Sequence, residues 1–191
     1  MPIQKRYNMR KLVASAWITL DNVFDSSLMP QWFFPFDSKS RQQAIRDSVM
    51  GSDVILMGRS TYEMLMPYWS KLHDGEMDGV AGKLNHSPKY VVSANLSAAP
   101  WENSTIIRDN VAETVARLKE EPGSEIRIEG SGMLANSLMK AGLVDEYRLL
   151  IHPCVVGSGK RYFDAGMPPK GLRLASCAPL DHGVLRVVYG V

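Results

Sequence analysis

Two stretches put glycine where a strand hands over to a helix, and both offer the donors an anion needs. In "DVILMGRSTYEML", Asp53 to Leu65, Gly58 lets the backbone turn and approach a ligand, and Arg59 adds a planar fork suited to phosphate oxygens. Ser60 and Glu63 have capping-box spacing, which marks a helix start whose positive dipole end favours negative charge. The plainer reading of the same residues is a tight turn beside a solvated charge. In "EIRIEGSGMLANSLMKAG", Gly130, Ser131 and Gly132 form a second turn of this kind, with backbone N–H groups available to a pyrophosphate and no charge in the following helical turn. Two such junctions in one chain point to a nucleotide phosphate.

Other motifs fail on their context. Gly130 to Ala135 spells G-x-G-x-x-A, yet it lies late in the chain, and the next strand, "EYRLLIHP", ends in His and Pro where a dinucleotide domain needs an acid. "GSGK" at Gly157 to Lys160 lacks both the first glycine and the Ser or Thr of a P-loop. "DGEMDG" opens like a calcium loop, but its twelfth position is Asn85. His73, His86, His152 and His182 share no ligand spacing, so no metal is expected, and no nucleophile motif is present. The chemistry therefore falls to a cofactor.

Nearly half of the 191 residues are apolar and the formal charge is only +2, which suits one domain with a sizeable core and neither disorder nor a nucleic-acid-coating surface. A small polar molecule is the expected partner. No run approaches the ~18 apolar residues of a membrane span and the start lacks a signal-peptide pattern, which points to the cytoplasm. Cys154 and Cys177 read as reduced core thiols. Residues 1–8 are polar and basic and read as a flexible extension, with the domain running over 9–191.

Periodicity predicts strands at Leu12 to Thr19, Val54 to Met57, Lys89 to Ser93, Ser104 to Ile107, Glu125 to Glu129, Glu146 to His152, Leu172 to Cys177 and Val184 to Tyr189. Helical spacing appears at Lys39 to Met50, Ser60 to Met66, Val111 to Glu120 and Met133 to Ala141, with Gly142 as a stop and Asp37 as an N-cap. The alternation predicts a three-layer α/β domain on a mixed sheet of about eight strands, parallel except for an antiparallel C-terminal hairpin. Two long irregular stretches, 21–37 and 68–87, are where pocket walls belong.

In this order the pieces resemble the dihydrofolate reductase-like superfamily, and within it the branch of the riboflavin-biosynthesis reductase domain and its single-domain bacterial relatives. The resemblance runs from Met9 to the end and rests on "LVASAWITLDN", "SDVILMGRSTYE", "KYVVSANL", "IRIEGSGMLANSLMKAGLVDEYRLLIHPCVVGSGKRYF" and the closing strand pair. It implies a site for NADPH. Gly58, Arg59, Ser60 and Thr61 hold the adenosine side and its 2′-phosphate, with Ser93, Ala94 and Asn95 along the adenosine edge. Gly130, Ser131, Gly132, Met133 and Leu134 cradle the pyrophosphate, and the nicotinamide lies near Ala16, Trp17 and the loop from Thr19 to Asn22. Homodimerisation is implied as well.

For the substrate side, Asp21 is the expected proton source, and Asn22, Trp32, Phe34 and Lys160 are the expected substrate contacts. Each also has a structural reading: aromatic residues in a loop pin it to a core or a dimer face, and Lys160 with Arg161 can be a solvated pair of cations. Relatives carry Leu-Asp-Gly where this chain has Leu20-Asp21-Asn22. The implied reaction is hydride transfer from NADPH to a small heterocyclic or carbonyl compound, a 5-amino-6-(5-phosphoribosylamino)uracil-type pyrimidine or a pterin among them. The alternative is a dinucleotide-binding sensor that never turns its ligand over.

Overall fold

A computed structural model describes residues 9–191; the extension expected at 1–8 lies outside the described residues. The strands are β1 (Lys11–Thr19), β2 (Val54–Gly58), β3 (Lys89–Val92), β4 (Ser104–Ile107), β5 (Glu125–Glu129), β6 (Glu146–His152), β7 (Arg173–Pro179) and β8 (Leu185–Gly190). They form one sheet in the order β4-β3-β2-β5-β1-β6-β8-β7. Pairing is parallel from β4 to β6 and antiparallel where β8 joins β6 and β7, as the change from alternating helix and strand to a tight hairpin demands.

Among the described residues six α-helices link the strands: α1 (Met29–Trp32), α2 (Lys39–Met50), α3 (Arg59–Trp69), α4 (Val80–His86), α5 (Val111–Glu120) and α6 (Gly132–Lys140). Strand alternation divides β1 between two cores. Leu12, Ala14, Ala16 and Ile18 pack with Ile126 and Ile128 against α5 and α6. On the opposite face Ile55, Met57 and Val91 meet α3 and α4, and Leu150 meets Ala44 of α2. The result is three layers with helices on both sides. Among the described residues no helix is long and apolar enough to cross a membrane.

Several local expectations need correction. Ser38, not Asp37, caps α2: its side chain accepts from the Arg41 N–H, while Asp37 accepts from the Arg41 guanidinium and the Gln42 amide. Neither cysteine is a core thiol. Cys177 is exposed on edge strand β7, and Cys154 is half-buried, its thiol pushed up by burial and by the charge of Asp21.

Helix α4, unmarked by periodicity, is held from outside itself. Lys89 is 0% exposed, and its Nζ donates to the carbonyls of Leu84, Asn85 and Ser87 at 2.7, 2.9 and 2.9 Å, satisfying the helix's orphan acceptors. Lys89→Met keeps the stem and deletes the donor, leaving those carbonyls buried and unpaired. We expect it to destabilise the fold by about 2–4 kcal/mol, read as a lower urea midpoint at unchanged slope.

Candidate functional site

β2 and β5 are neighbours in the sheet, yet α3 leaves β2 toward one face and α6 leaves β5 toward the other. The carboxyl ends of these two strands therefore form a switch point, where open α/β sheets take ligands. The two glycine turns meet there. Gly58 N–H donates to Ser131 Oγ at 2.9 Å, and Ser131 Oγ lies 2.9 Å from Thr61 Oγ1 and donates to the Glu129 carbonyl at 2.9 Å. A hydroxyl has one proton, so Ser131 spends it on Glu129 and Thr61 is the donor to Ser131.

That arrangement leaves the helices open. With its hydroxyl committed to the junction, Ser131 makes no side-chain cap on α6, and Gly58 at the start of α3 has none to give. Two helices of 11 and 9 residues thus present uncapped first-turn N–H groups side by side. Gly130 and Ser131 both adopt left-handed backbone, at φ 52° and 53°. Glycine is needed at the first of them because a Cβ there would stand 3.2 Å from the Phe24 ring. These features fit a pyrophosphate.

The remaining expected cofactor residues sort by what each can offer. Arg59 pairs with Glu63 at 2.7 Å, so the expected capping box does not form; both side chains are about half exposed, and such a pair is easily exchanged for a phosphate. Ser60 is exposed on the first turn of α3, whereas Ser93 Oγ is occupied by the N–H groups of Asn95 and Leu96 in a turn. Ala94 and Asn95 are exposed beyond β3, where Arg108 donates to the Ala94 carbonyl at 3.2 Å and adds a cation that sequence reasoning did not single out. Leu134 turns its side chain into the core and Met133 into solvent, which leaves their amides as the useful groups.

Along β1, the ladder to β5 stops at Ser15, whose carbonyl accepts from Gly130 N–H at 3.1 Å. Backbone groups of a strand alternate sides, so the N–H and C=O of Trp17 turn toward the gap left where β5 departs. A flat amide could pair with both. Ala16 points its methyl into the core and can contribute only by proximity.

On the substrate side, Asp21 is not a proton source. Its carboxylate accepts from Thr19 Oγ1 at 2.6 Å and from the N–H groups of Gly157 and Val156, which hold its pKa down to about 2. It is an ionised clasp between two loops. Asn22, at φ 67°, spends its amide on both backbone groups of Phe163 and is likewise structural. Trp32 is 2% exposed, its Nε1 donating to the Asp25 carbonyl, and packs edge-on against Phe33 and His152, so it cannot stack on a substrate. Phe34 and Lys160 are exposed, and the Lys160 N–H ties its loop to Asp25.

Sequence reading missed a cleft between α2 and the sheet, lined by Ser15, Trp17, Ser48, Arg127, Arg148 and Arg186 among others. Its signal was present in "EIRIE", where every second side chain of a central strand is charged. Trp17 lines this cleft, its ring stacked 4.5 Å from that of Phe33.

The RibD C-terminal domain family matches residues 10–186. The chain belongs to this family. A Bacillus subtilis relative, the uncharacterised protein YyaP, is 34% identical over 137 residues, covering 72% of this chain and 73% of YyaP. YwjB of the same organism, also uncharacterised, is 29% identical over 159 residues, covering 78% of this chain and 80% of its own. Among solved structures, a putative riboflavin biosynthesis protein from Shewanella sp. PV-4 superposes with a TM-score of 0.76 at 16% identity, covering 94% of this chain and 98% of that one. Dihydrofolate reductase from Enterococcus faecalis, complexed with NADP(H), gives a TM-score of 0.64 at 14% identity over 96% and 98% of the two chains. The fold is dihydrofolate reductase-like, and the family is one of reductase-like domains.

Proposed function

We propose that the chain is an NADPH-dependent reductase of a small heterocyclic or carbonyl compound. The observation that carries this is the pair of uncapped helix starts, α3 and α6, pinned together by the Ser131 hydroxyl at the switch point of the sheet. Amides of Gly132, Met133 and Leu134 would hold the pyrophosphate, with the first turn of α3 opposite. Arg59, joined by Arg108 from the far side of Ala94, would receive the 2′-phosphate that distinguishes NADPH from NADH. The nicotinamide amide would pair with the backbone of Trp17. When bound, the reduced ring supplies a hydride; the protein orients it against a substrate in the cleft beneath α2 and excludes water with the Trp17–Phe33 stack. A riboflavin-pathway pyrimidine and a pterin are the two substrate types we favour. We further propose a cytoplasmic homodimer: β7 is an edge strand exposed along its whole length, and light scattering at twice the chain mass checks this.

Titration with both dinucleotides tests the assignment. Arg59→Ala should weaken NADPH about tenfold more than NADH, near 1.5 kcal/mol, the low end for a charge-assisted contact because the guanidinium is half exposed. Equal losses would remove Arg59 as the 2′-phosphate reader. One observation favours a second reading, a sensor: the Asp21 carboxylate, the acid expected on the substrate side, is held ionised by Thr19 Oγ1 and the Gly157 N–H. Bound NADPH that stays reduced across pterins, pyrimidines, flavins and quinones in stopped-flow absorbance would decide for it.

A further inference from the structure

The cleft beneath α2 contains a buried cation with donors to spare. Arg127 is 2% exposed in the middle of β5. Its Nε lies 2.8 Å from Glu129 Oε2, close enough for an ion pair but without hydrogen-bond alignment, and Nη1 has no partner among the described residues. The Ser48 hydroxyl of α2, lining the same cleft, is also buried and, among the described residues, unpartnered. Buried donors left unmade cost stability, and where a native fold keeps several of them around one space, a ligand is the natural recipient.

The neighbouring charges do not fill that role. Arg148 is fully neutralised, gripped in two-point fashion by Glu125 at 2.8 Å and by Glu146 at 2.7 Å. Arg186 lines the same space and, among the described residues, forms no ion pair. The cleft thus offers a forked donor in Arg127, a hydroxyl in Ser48 and a second cation in Arg186. Ser15 adds a second hydroxyl, and Trp17, Ala44, Leu149 and Leu150 form an apolar wall.

The lining narrows the class: Trp17, Leu149 and Leu150 set an apolar wall beside the donors, in a cleft of about 290 Å³ that opens to solvent. We propose that Arg127 with Ser48 binds a planar oxyanion, the carboxylate of an aromatic acid or the ionised oxygen of an acidic heterocycle, and so determines substrate class. The guanidinium fork takes the oxyanion, the flat body lies against Trp17, and inorganic phosphate has no apolar body to lay on that wall. This rests on the reductase reading for its link to hydride transfer, but the binding itself can be measured alone.

The test uses the full chain with benzoate and inorganic phosphate as probes, by calorimetry and Trp fluorescence at low salt, with NADPH titrated into the same preparations. Benzoate should bind saturably and more tightly than phosphate, at least tenfold weaker in Arg127→Met and severalfold weaker in Ser48→Ala, with NADPH affinity unchanged in both. Ser48→Ala removes only a hydroxyl, so it reports on the cleft even if Arg127→Met does not fold. Failure of wild-type protein to saturate with benzoate, phosphate binding as tight as benzoate, or benzoate affinity indifferent to Ser48→Ala and to a folded Arg127→Met would each overturn the proposal. Benzoate binding without NADPH binding would overturn the reductase reading alone.

Discussion

Gly132→Val is expected to lower NADPH affinity by about 100-fold or more while leaving a folded protein. The position opens α6, and a Cβ built on it would lie 3.1 Å from the Tyr162 carbonyl oxygen and 3.3 Å from its ring. Neither can retreat: Tyr162 is 0% exposed, and its carbonyl accepts from the buried Asn136 amide at 2.8 Å. Valine must therefore displace the start of the helix, at a typical overpacking cost of about 1–3 kcal/mol. The displaced turn carries the amides assigned to the pyrophosphate. Losing two charge-assisted bonds at about 1.5 kcal/mol each gives the stated factor. Met133→Ala, one residue along but 84% exposed, is the control and should change neither affinity nor stability appreciably. Retained affinity in a folded Gly132→Val protein would place the pyrophosphate elsewhere.

The same position marks how far sequence alone could reach. That Gly58 and Gly132 sit on strand-to-helix turns follows from periodicity, and the bounds of β4, β5, β6, α2 and α5 match what apolar spacing predicts. That the turns touch depends on β5 inserting between β2 and β1, a pairing between residues some seventy positions apart. No local pattern encodes it. Ser131 was therefore legible as a backbone donor in an anion-binding turn, whereas the role of its hydroxyl as the pin between the turns was not.

The misses have the same origin. α4 is seven residues long, and its Gly82 breaks the pattern; that glycine is required because a Cβ would stand 2.9 Å from the Asp74 carbonyl, and the helix's C-terminal cap is a lysine from the next strand. Asp21 and Asn22 looked like ligand contacts because polar residues at a strand end usually are, yet here they fasten the 154–163 segment, which is remote in sequence. Arg127 was readable as inward-facing. That it lacks a full set of partners is a property of the packed cleft, which only coordinates reveal.

Acid should expose the other buried base. His152 is 0% exposed, enclosed by Trp32, Phe33 and Phe36 with ring centroids 5.3, 5.4 and 5.9 Å away. Its Nδ1 donates to the Ile18 carbonyl at 3.1 Å, so Nε2 is the unprotonated nitrogen, and that atom faces the Arg41 guanidinium at 3.5 Å. Burial first and the Arg41 charge second push its pKa down to about 4, while Asp37, bonded to the far side of Arg41, only partly offsets that charge. The native pKa lies below the unfolded value near 6.5, so between the two the unfolded chain binds a proton that the native chain refuses. Stability is therefore full above about pH 6.5, falls on acidification and levels off below about 4, a total loss on the order of 3 kcal/mol. Asp21, Asp25, Asp37 and Asp53, whose pKa values are lowered by their hydrogen bonds and ion pairs, lose their contributions only as pH drops below the ordinary Asp range. His86 is raised by Asp74 and slopes the opposite way, but it is solvent-screened. Urea melts at pH 7, 5.5 and 4.5 should thus show a midpoint falling with pH in the wild type and a much flatter dependence in His152→Gln. Equal slopes in the two proteins would mean that the imidazole is protonated within the fold and that Arg41 has moved away from it.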